Sequence, residues 1–103
     1  AGLERLQIAR AISRTVSSEV AIGNALSELG RWPEARARFE SALLLNPGSF
    51  RARANLAATL GTLGEPDLAV AELARARRLF PGHPKLALIA EAIERQRRDR
   101  ETL

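Results

Sequence analysis

Few residues of this sequence could carry out catalysis, and none of them has a partner at a catalytic spacing. His83 is the only histidine, and the chain has no cysteine. Since a transition-metal site needs several imidazole, thiolate or carboxylate ligands, the sequence predicts no metal site. His83 lies in the Pro-Gly-His-Pro run at residues 81–84. Such a run is typical of a turn, and we interpret His83 as a solvated turn residue.

The other polar residues also lack the neighbours that catalysis needs. No base is placed to activate a serine hydroxyl, and no glycine precedes the Lys-Ser/Thr pair of a phosphate-binding loop. Glu34 and Glu40 fall on the outward side of a predicted helix. Arg36 and Arg38 lie within reach of them, which indicates solvated ion pairs. The sequence therefore predicts no catalytic residue, no metal and no cofactor, and we do not expect an enzyme.

The composition is that of one folded domain with a modest positive charge. A chain of 103 residues is too short for two independent cores, and its 46% hydrophobic and 27% charged residues argue against disorder. The net charge of +4 is spread along the chain, and one Trp and three Phe are few for stacking on bases. Nucleic-acid binding through the C-terminal Arg95, Arg97, Arg98 and Arg100 is therefore not expected.

The sequence says little about where the protein resides. Apolar runs such as residues 43–45 are too short for a membrane-spanning helix or a signal peptide, so direct membrane insertion is not expected. The absence of cysteine is compatible with a soluble domain in either the cytoplasm or the periplasm, and the compartment stays open. Because the chain begins at Ala1 and contains no methionine, we expect it to be either a processed chain or a piece of a larger protein.

The sequence repeats itself with a constant period of about 34 residues, and this period predicts the elements that position its side chains. Leu26, Gly30, Ala35, Ala42 and Pro47 each recur one period later as the same residue type. The other identities in this repeat register are Leu29 with Leu63, Ala37 with Ala71, Leu45 with Leu79, and Gly48 with Gly82. Such a period is typical of stacked supersecondary units.

Each unit is predicted to be a helix, a glycine turn and a second helix. Ile22, Leu26 and Leu29 recur at helical spacing, which predicts a buried stripe on a first helix that stops at Gly30. A second helix is predicted from Pro33 to Leu45, since proline is tolerated in a first turn. Its expected buried residues are Ala35, Phe39, Ala42 and either Leu43 or Leu45. The second unit repeats the plan with Leu56, Leu60, Leu63, Ala69, Leu73, Ala76 and Leu79.

Residues at fixed places in both units follow the pattern of a known repeat family. In the first unit these residues are Ile22, Gly23, Leu26, Ala35, Phe39, Ala42 and Pro47; in the second they are Leu56, Ala57, Leu60, Ala69, Leu73, Ala76 and Pro81. They stand at the Leu-Gly, Tyr, Ala, Phe, Ala and Pro positions of the tetratricopeptide repeat. Residues 16–49 and residues 50–83 therefore each resemble one copy of this repeat. Glu19 and Arg53 stand at the family's Trp position. The resemblance implies an all-α fold, a right-handed α-solenoid of helical hairpins.

The residues on either side of the two repeats are predicted to be helices of the same single domain, 1–103. Residues 1–15 carry Leu3, Leu6 and Ile12 on an apolar face and form either the second helix of an upstream repeat or an N-terminal cap. Ser17 or Ser18 is then expected to cap the next helix. A continuous helix through this region is the alternative, because no glycine or proline interrupts it. Residues 84–103 start apolar and become charged, which predicts a capping helix that shields the last repeat.

The resemblance also implies a concave groove, formed by the first helices, that receives a peptide or helix of a partner protein. The places that floor this groove in the family combine an apolar track, two asparagines and a positive rim in this sequence. They are Val20, Asn24, Arg51, Ala54, Asn55, Lys85, Leu88 and Ile89. The predicted function is a non-catalytic protein-interaction module within a larger protein or assembly.

Two further functional interpretations come from the same resemblance. Some family members hold a C-terminal carboxylate with a clamp of Lys, Asn, Asn, Lys and Arg, of which Asn24, Asn55 and Lys85 match three places. Val20 and Ile89 stand where the first Lys and the Arg belong, so a more apolar helical or extended peptide is favoured. The alternative function is a structural or dimerising scaffold segment of a longer or membrane-tethered assembly factor, in which the first helix or an open end of the stack pairs with a second copy.

Overall fold

The chain folds into the helical hairpins that the repeat predicts. The computed structural model describes residues 15–101, and this part of the chain contains five helices and no strand. The helices are α1 (Val16–Glu28), α2 (Trp32–Leu45), α3 (Phe50–Thr62), α4 (Pro66–Leu79) and α5 (Pro84–Glu101). The prediction of an all-α solenoid of helical hairpins is confirmed. The helix predicted at residues 1–15 falls almost wholly on residues 1–14, outside the described residues.

The turn inside each hairpin is closed by a glycine in the left-handed region. Gly30 has φ 76° and Gly64 has φ 80°, a conformation that costs energy for any residue with a Cβ. The N–H of Arg31 donates to the carbonyl of Leu26 at 2.8 Å, and the N–H of Gly30 to that of Ser27 at 3.0 Å. These two bonds form a Schellman motif, which satisfies the last carbonyls of α1. The α3–α4 turn repeats both bonds.

The first helix of each hairpin is capped by the side chain that precedes it. The Thr15 hydroxyl accepts from the N–H of Ser18 at 3.1 Å, and the Ser18 hydroxyl accepts from the N–H of Thr15 at 2.9 Å. This reciprocal capping box makes Thr15 the N-cap, so the prediction of Ser17 or Ser18 as the cap is wrong. The predicted alternative of a continuous helix is also wrong, because Thr15 is extended at φ −116° and ψ 166°.

Small residues bring the helices together, and a few large ones fill the space between them. α1 packs on α2 and α3 on α4, the two hairpins stack through α2 and α3, and α5 covers both α3 and α4. Ala35, Ala42, Ala69 and Ala76 have no exposed surface, which allows close approach of the helix axes. Phe39 of α2 and Leu86 of α5 are among the largest buried side chains.

The predicted apolar stripes are only partly buried. Ile22 is 41% exposed and Leu29 is 71% exposed, whereas Leu56, the counterpart of Ile22, is 4% exposed. The difference arises because α2 packs against α3, while none of the described helices precedes α1. Leu45 and Leu79 are also half exposed, since each is the last residue of its helix. Leu43 packs against the core instead of Leu45.

An ion pair crosses each hairpin at the place where the family carries its tryptophan. Arg38 of α2 lies 3.4 Å from the buried Glu19 of α1. Arg53 of α3 lies 2.6 Å from Glu72 of α4, and its second terminal nitrogen donates to the carbonyl of Pro47 at 2.9 Å. Arg38 therefore pairs with a residue of α1 and not, as the sequence predicted, with a carboxylate of its own helix. Arg36 and Glu40 do form the predicted surface pair, at 3.5 Å.

Candidate protein-binding face

The predicted groove residues lie on α1, α3 and α5, the first helices of successive hairpins and the helix that follows them. α3 contacts both α1 and α5, so the three helices form one continuous face. We call this surface the first-helix face and define it by the predicted residues that remain accessible on it. They are Asn24, Arg51, Asn55, Lys85 and Leu88.

Two asparagine side chains join α1 to α3 at the middle of the first-helix face. The amide nitrogen of Asn55 donates to the amide oxygen of Asn24 at 3.0 Å, and both residues are half-buried. Neither the amide nitrogen of Asn24 nor the amide oxygen of Asn55 bonds to any other described residue. One donor and one acceptor are thus available side by side, as a peptide group of a ligand requires.

A small recess lies beside the asparagine pair. It has a volume of about 190 Å³ and is lined by Asn24, Ser27, Trp32, Phe39, Asn55, Ala58 and Thr59. The hydroxyl of Ser27 donates to the carbonyl of Gly23 at 2.9 Å and that of Thr59 to the carbonyl of Asn55 at 2.8 Å. Both hydroxyls are thereby held by their own helices, while Trp32 and Phe39 supply apolar wall. A recess of this size and lining suits one side chain.

Two positive charges stand at one rim of the first-helix face. Arg51 and Lys85 occupy equivalent places in the repeat register, lie in the first turns of α3 and α5, and are both exposed. Neither side chain forms an ion pair with a described residue. Their charges are therefore available to an acidic group of a ligand.

The apolar track that the sequence predicts lies mostly inside the stack. Val20 and Ala54 have no exposed surface and Ile89 is 8% exposed, so all three belong to the core. Leu88, which is equivalent to Ala54 in the repeat register, is 66% exposed because none of the described helices follows α5. Of the predicted groove residues, Leu88 is therefore the one that offers exposed apolar surface. Burial of Val20 and Ile89 also takes two of the five carboxylate-clamp places out of reach.

Sequence reasoning missed the contribution of α2 to this face. Trp32, the first residue of α2, is half-buried and lines the recess with Phe39. The glycine turn itself carries the signal. Because the chain reverses at Gly30, the first residue of α2 must lie beside the last turn of α1, where Ser27 faces the recess.

The described residues contain neither a metal-binding group nor a membrane-spanning element. No cluster of three or more His, Asp or Glu side chains in residues 15–101 is arranged to hold a metal ion. No helix in that same part of the chain has the length and apolar character needed to cross a bilayer.

Comparison with known proteins identifies the repeat. Residues 20–84, which are more than half of the chain, match a family model described as the tetratricopeptide repeat. The match runs from within α1 to the first residue of α5 and so includes most of the first hairpin, all of the second, the asparagine pair and Arg51. No curated protein matches the chain.

Proposed function

Since the chain belongs to the tetratricopeptide repeat family, whose repeats mediate protein–protein interactions, we propose that its first-helix face binds a segment of a partner protein. The asparagine pair is the observation that carries this proposal. It presents an amide donor and an amide acceptor, neither bonded to another described residue, at the junction of two repeats. A bound backbone can bond to both at once, which favours an extended or helical peptide laid across α1 and α3.

The surroundings of the asparagine pair add affinity and direction. The recess beside Asn24 and Asn55 accepts one side chain of the segment. Arg51 and Lys85 attract an acidic residue at one end, and Leu88 offers an apolar contact further along. The role is non-catalytic and is exercised within a larger protein or assembly.

A peptide selection followed by mapping tests this function. Peptides are selected from a random display library on the chain, and the affinity of the best one is measured by calorimetry. Asn55→Leu removes the amide nitrogen and oxygen of one asparagine, and we expect a loss of affinity of about tenfold or more with the helical content unchanged. Arg77→Ser, an exposed change on α4, should leave the affinity intact. Equal affinities for Asn55→Leu and the parent chain would place the peptide on another surface.

A scaffold function has an observation of its own in its favour. Ile22 and Leu29 leave an apolar strip on α1 uncovered, whereas the equivalent Leu56 on α3 is buried by the neighbouring hairpin. A second copy or a preceding repeat stacked on α1 would cover this strip. Sedimentation velocity should then show a mass that rises with concentration in the parent chain and stays monomeric in Ile22→Asp. A monomer at every concentration in the parent chain would remove self-association.

A further inference from the structure

We propose that the second repeat carries another binding site, an arginine-lined notch that receives the carboxylates of an acidic segment of a partner protein. The notch has a volume of about 320 Å³ and is lined by Pro47, Arg53, Arg75, Arg78 and Leu79. We call it the arginine notch. It is separate from the first-helix face and uses chemistry that the proposed function does not require.

Two of the three arginines of the notch are held in place by a single carboxylate. Glu72 accepts from Arg53 at 2.6 Å and from Arg75 at 2.7 Å, and Arg53 also donates to the carbonyl of Pro47 at 2.9 Å. Arg53 therefore forms a fixed, nearly buried floor. Arg75 is 57% exposed and has further N–H groups to donate, and Arg78 is exposed and forms no ion pair with a described residue. One carboxylate among three guanidinium groups leaves a surplus of two positive charges.

The first repeat shows that the fold does not need these arginines. The residues equivalent to Arg53, Arg75 and Arg78 in the first repeat are Glu19, Ser41 and Leu44. The same hairpin thus forms with no positive surplus at this place. The C-terminal end of a helix favours a basic residue, but that effect applies equally to α2, which has none in its last turn. The arginine surplus is specific to the second repeat, as a binding site would be.

The notch faces away from the proposed peptide-binding surface. Arg51 and Arg53 are two residues apart on α3, which places them roughly 200° apart around the helix axis. Arg51 belongs to the first-helix face, and Arg53 points to the side where α3 meets α4 and the loop at Pro47. One partner could therefore wrap from one surface to the other, or two partners could bind together.

The lining of the notch indicates what kind of ligand fits. Guanidinium groups bind carboxylates through paired N–H donors, and Pro47 and Leu79 add apolar wall beside them. An acidic residue next to an aliphatic one satisfies both features. A nucleic acid is disfavoured, since recognition of single strands relies on aromatic stacking and the notch is lined by no aromatic residue.

Amide-detected NMR of the isotope-labelled chain tests the site with a defined probe. The probe is a short peptide, blocked at both ends, in which one leucine lies between two glutamates; the matched peptide carries glutamines instead. We expect the glutamate peptide to shift the amide signals of residues 53 and 75–79 and the glutamine peptide to bind at least about tenfold more weakly. Signals of Asn24 and Asn55 should not move.

Variants copied from the first repeat provide the second arm. The double change Arg75→Ser and Arg78→Leu introduces the residue types that Ser41 and Leu44 have at the equivalent places of the first repeat. We expect it to lower the affinity for the glutamate peptide about tenfold or more. Arg77→Ser removes one positive charge from the same turn, outside the notch, and should change the affinity less than about twofold. A single-stranded oligonucleotide is titrated in parallel.

Three results would overturn the proposal. They are equal binding of the glutamate and glutamine peptides to the parent chain, an equal loss in Arg77→Ser and in the double variant, and tighter binding of the oligonucleotide than of the peptide at these same amides. The first comparison uses only the parent protein, so it stays decisive even if the double variant is unstable.

Discussion

The hairpin of α1 and α2 and the hairpin of α3 and α4 place an ion pair at equivalent positions with its charges exchanged. Glu19 on the first helix faces Arg38 on the second, and at the same places of the next repeat Arg53 faces Glu72. A neighbouring pair of residues across each hairpin shows a similar exchange, in side-chain size instead of charge. Gly23 packs against Phe39, and their counterparts are Ala57 and Leu73.

These two exchanges show what the hairpin interface requires. A carbon added at Gly23 would lie 2.5 Å from the ring of Phe39, so the larger ring in the first repeat needs the smaller residue opposite it. In the second repeat the smaller Leu73 leaves room for Ala57. Complementarity across the pair is therefore maintained between the repeats, while the residue type at each single position is not.

The two ion pairs differ in how deeply they are set. The side chains of Arg53 and Glu72 are 12% and 13% exposed. In the first repeat the side chain of Arg38 is 42% exposed and that of Glu19 is 3% exposed. The guanidinium nitrogen and carboxylate oxygen are 2.6 Å apart in the Arg53–Glu72 pair and 3.4 Å apart in the Arg38–Glu19 pair. The pair of the second repeat is also tied to the inter-repeat loop, through the Pro47 carbonyl. We therefore expect the second repeat to depend more strongly on its pair.

The largest effect is expected from Arg53→Glu, which copies Glu19 into the second repeat without its partner. Two carboxylates would then face each other where little solvent reaches, and the free energy of unfolding should fall by about 3–5 kcal/mol. The matched change in the first repeat, Arg38→Glu, should cost less, because the new carboxylate can turn into solvent. Urea unfolding followed by circular dichroism measures both.

Restoring complementarity provides the control for this prediction. Combining Arg53→Glu with Glu72→Arg recreates the polarity of the first repeat and should recover part of the lost stability. Recovery stays incomplete because the arginine introduced at position 72 lies next to Arg75, which pairs with Glu72 in the parent chain. A double variant as unstable as the sum of its single changes would contradict the exchange interpretation.

A smaller effect is expected from exchanging the sizes of the second pair. Gly23→Ala would normally stabilise a helix by about 0.5–1 kcal/mol, but here the added methyl meets Phe39 and should destabilise by about 1–3 kcal/mol. Adding Phe39→Leu, which copies the second repeat, should make Gly23→Ala favourable or neutral. The unfolding free energies of the four proteins form a double-mutant cycle. Stabilisation by Gly23→Ala alone would show that Phe39 moves aside freely.

The repeat period is enough to predict the hairpins and their glycine turns, because both follow from local rules. Gly30 and Gly64 appear at the end of an apolar stripe, where a left-handed residue ends a helix. Capping is harder to predict. Ser18 is a plausible N-cap because serine often caps helices. In the structure Thr15 is the N-cap, and Ser18, in the first turn of α1, is its reciprocal partner in the capping box.

Burial across helices is harder to predict than the helices themselves. The sequence shows Glu19 and Arg53 in place of a tryptophan, but their partners lie on the following helix and depend on how the hairpin closes. One signal could have revealed these ion pairs. At two places of the repeat register the charge changes sign together, from Glu19 to Arg53 and from Arg38 to Glu72. The exposure of Ile22 and of Leu88 depends on what lies beyond α1 and α5, which no pattern within the repeat specifies.

The smallest effect is expected at the helix caps, where the repeat register brings Ser49 and His83 to equivalent places. The Ser49 hydroxyl accepts from the N–H of Ala52 at 3.2 Å, and the Nδ1 of His83 accepts from the N–H of Lys85 at 3.1 Å. The His83 ring also stacks on Phe50 with the ring centres 4.1 Å apart. His83 therefore combines the cap with a contact that Ser49 does not make.

Two substitutions at position 83 separate these contributions. His83→Ser keeps a capping acceptor and loses the stacking, whereas His83→Ala loses both, so the difference between them should be the value of the cap, about 0.5–1 kcal/mol. Hydrogen exchange at the amides of the first turn of α5 should quicken in His83→Ala and change little in His83→Ser. Ser49→Ala gives the matched loss at the start of α3. Equal exchange in both variants at position 83 would mean that stacking on Phe50, and not the bond to Lys85, holds the start of α5.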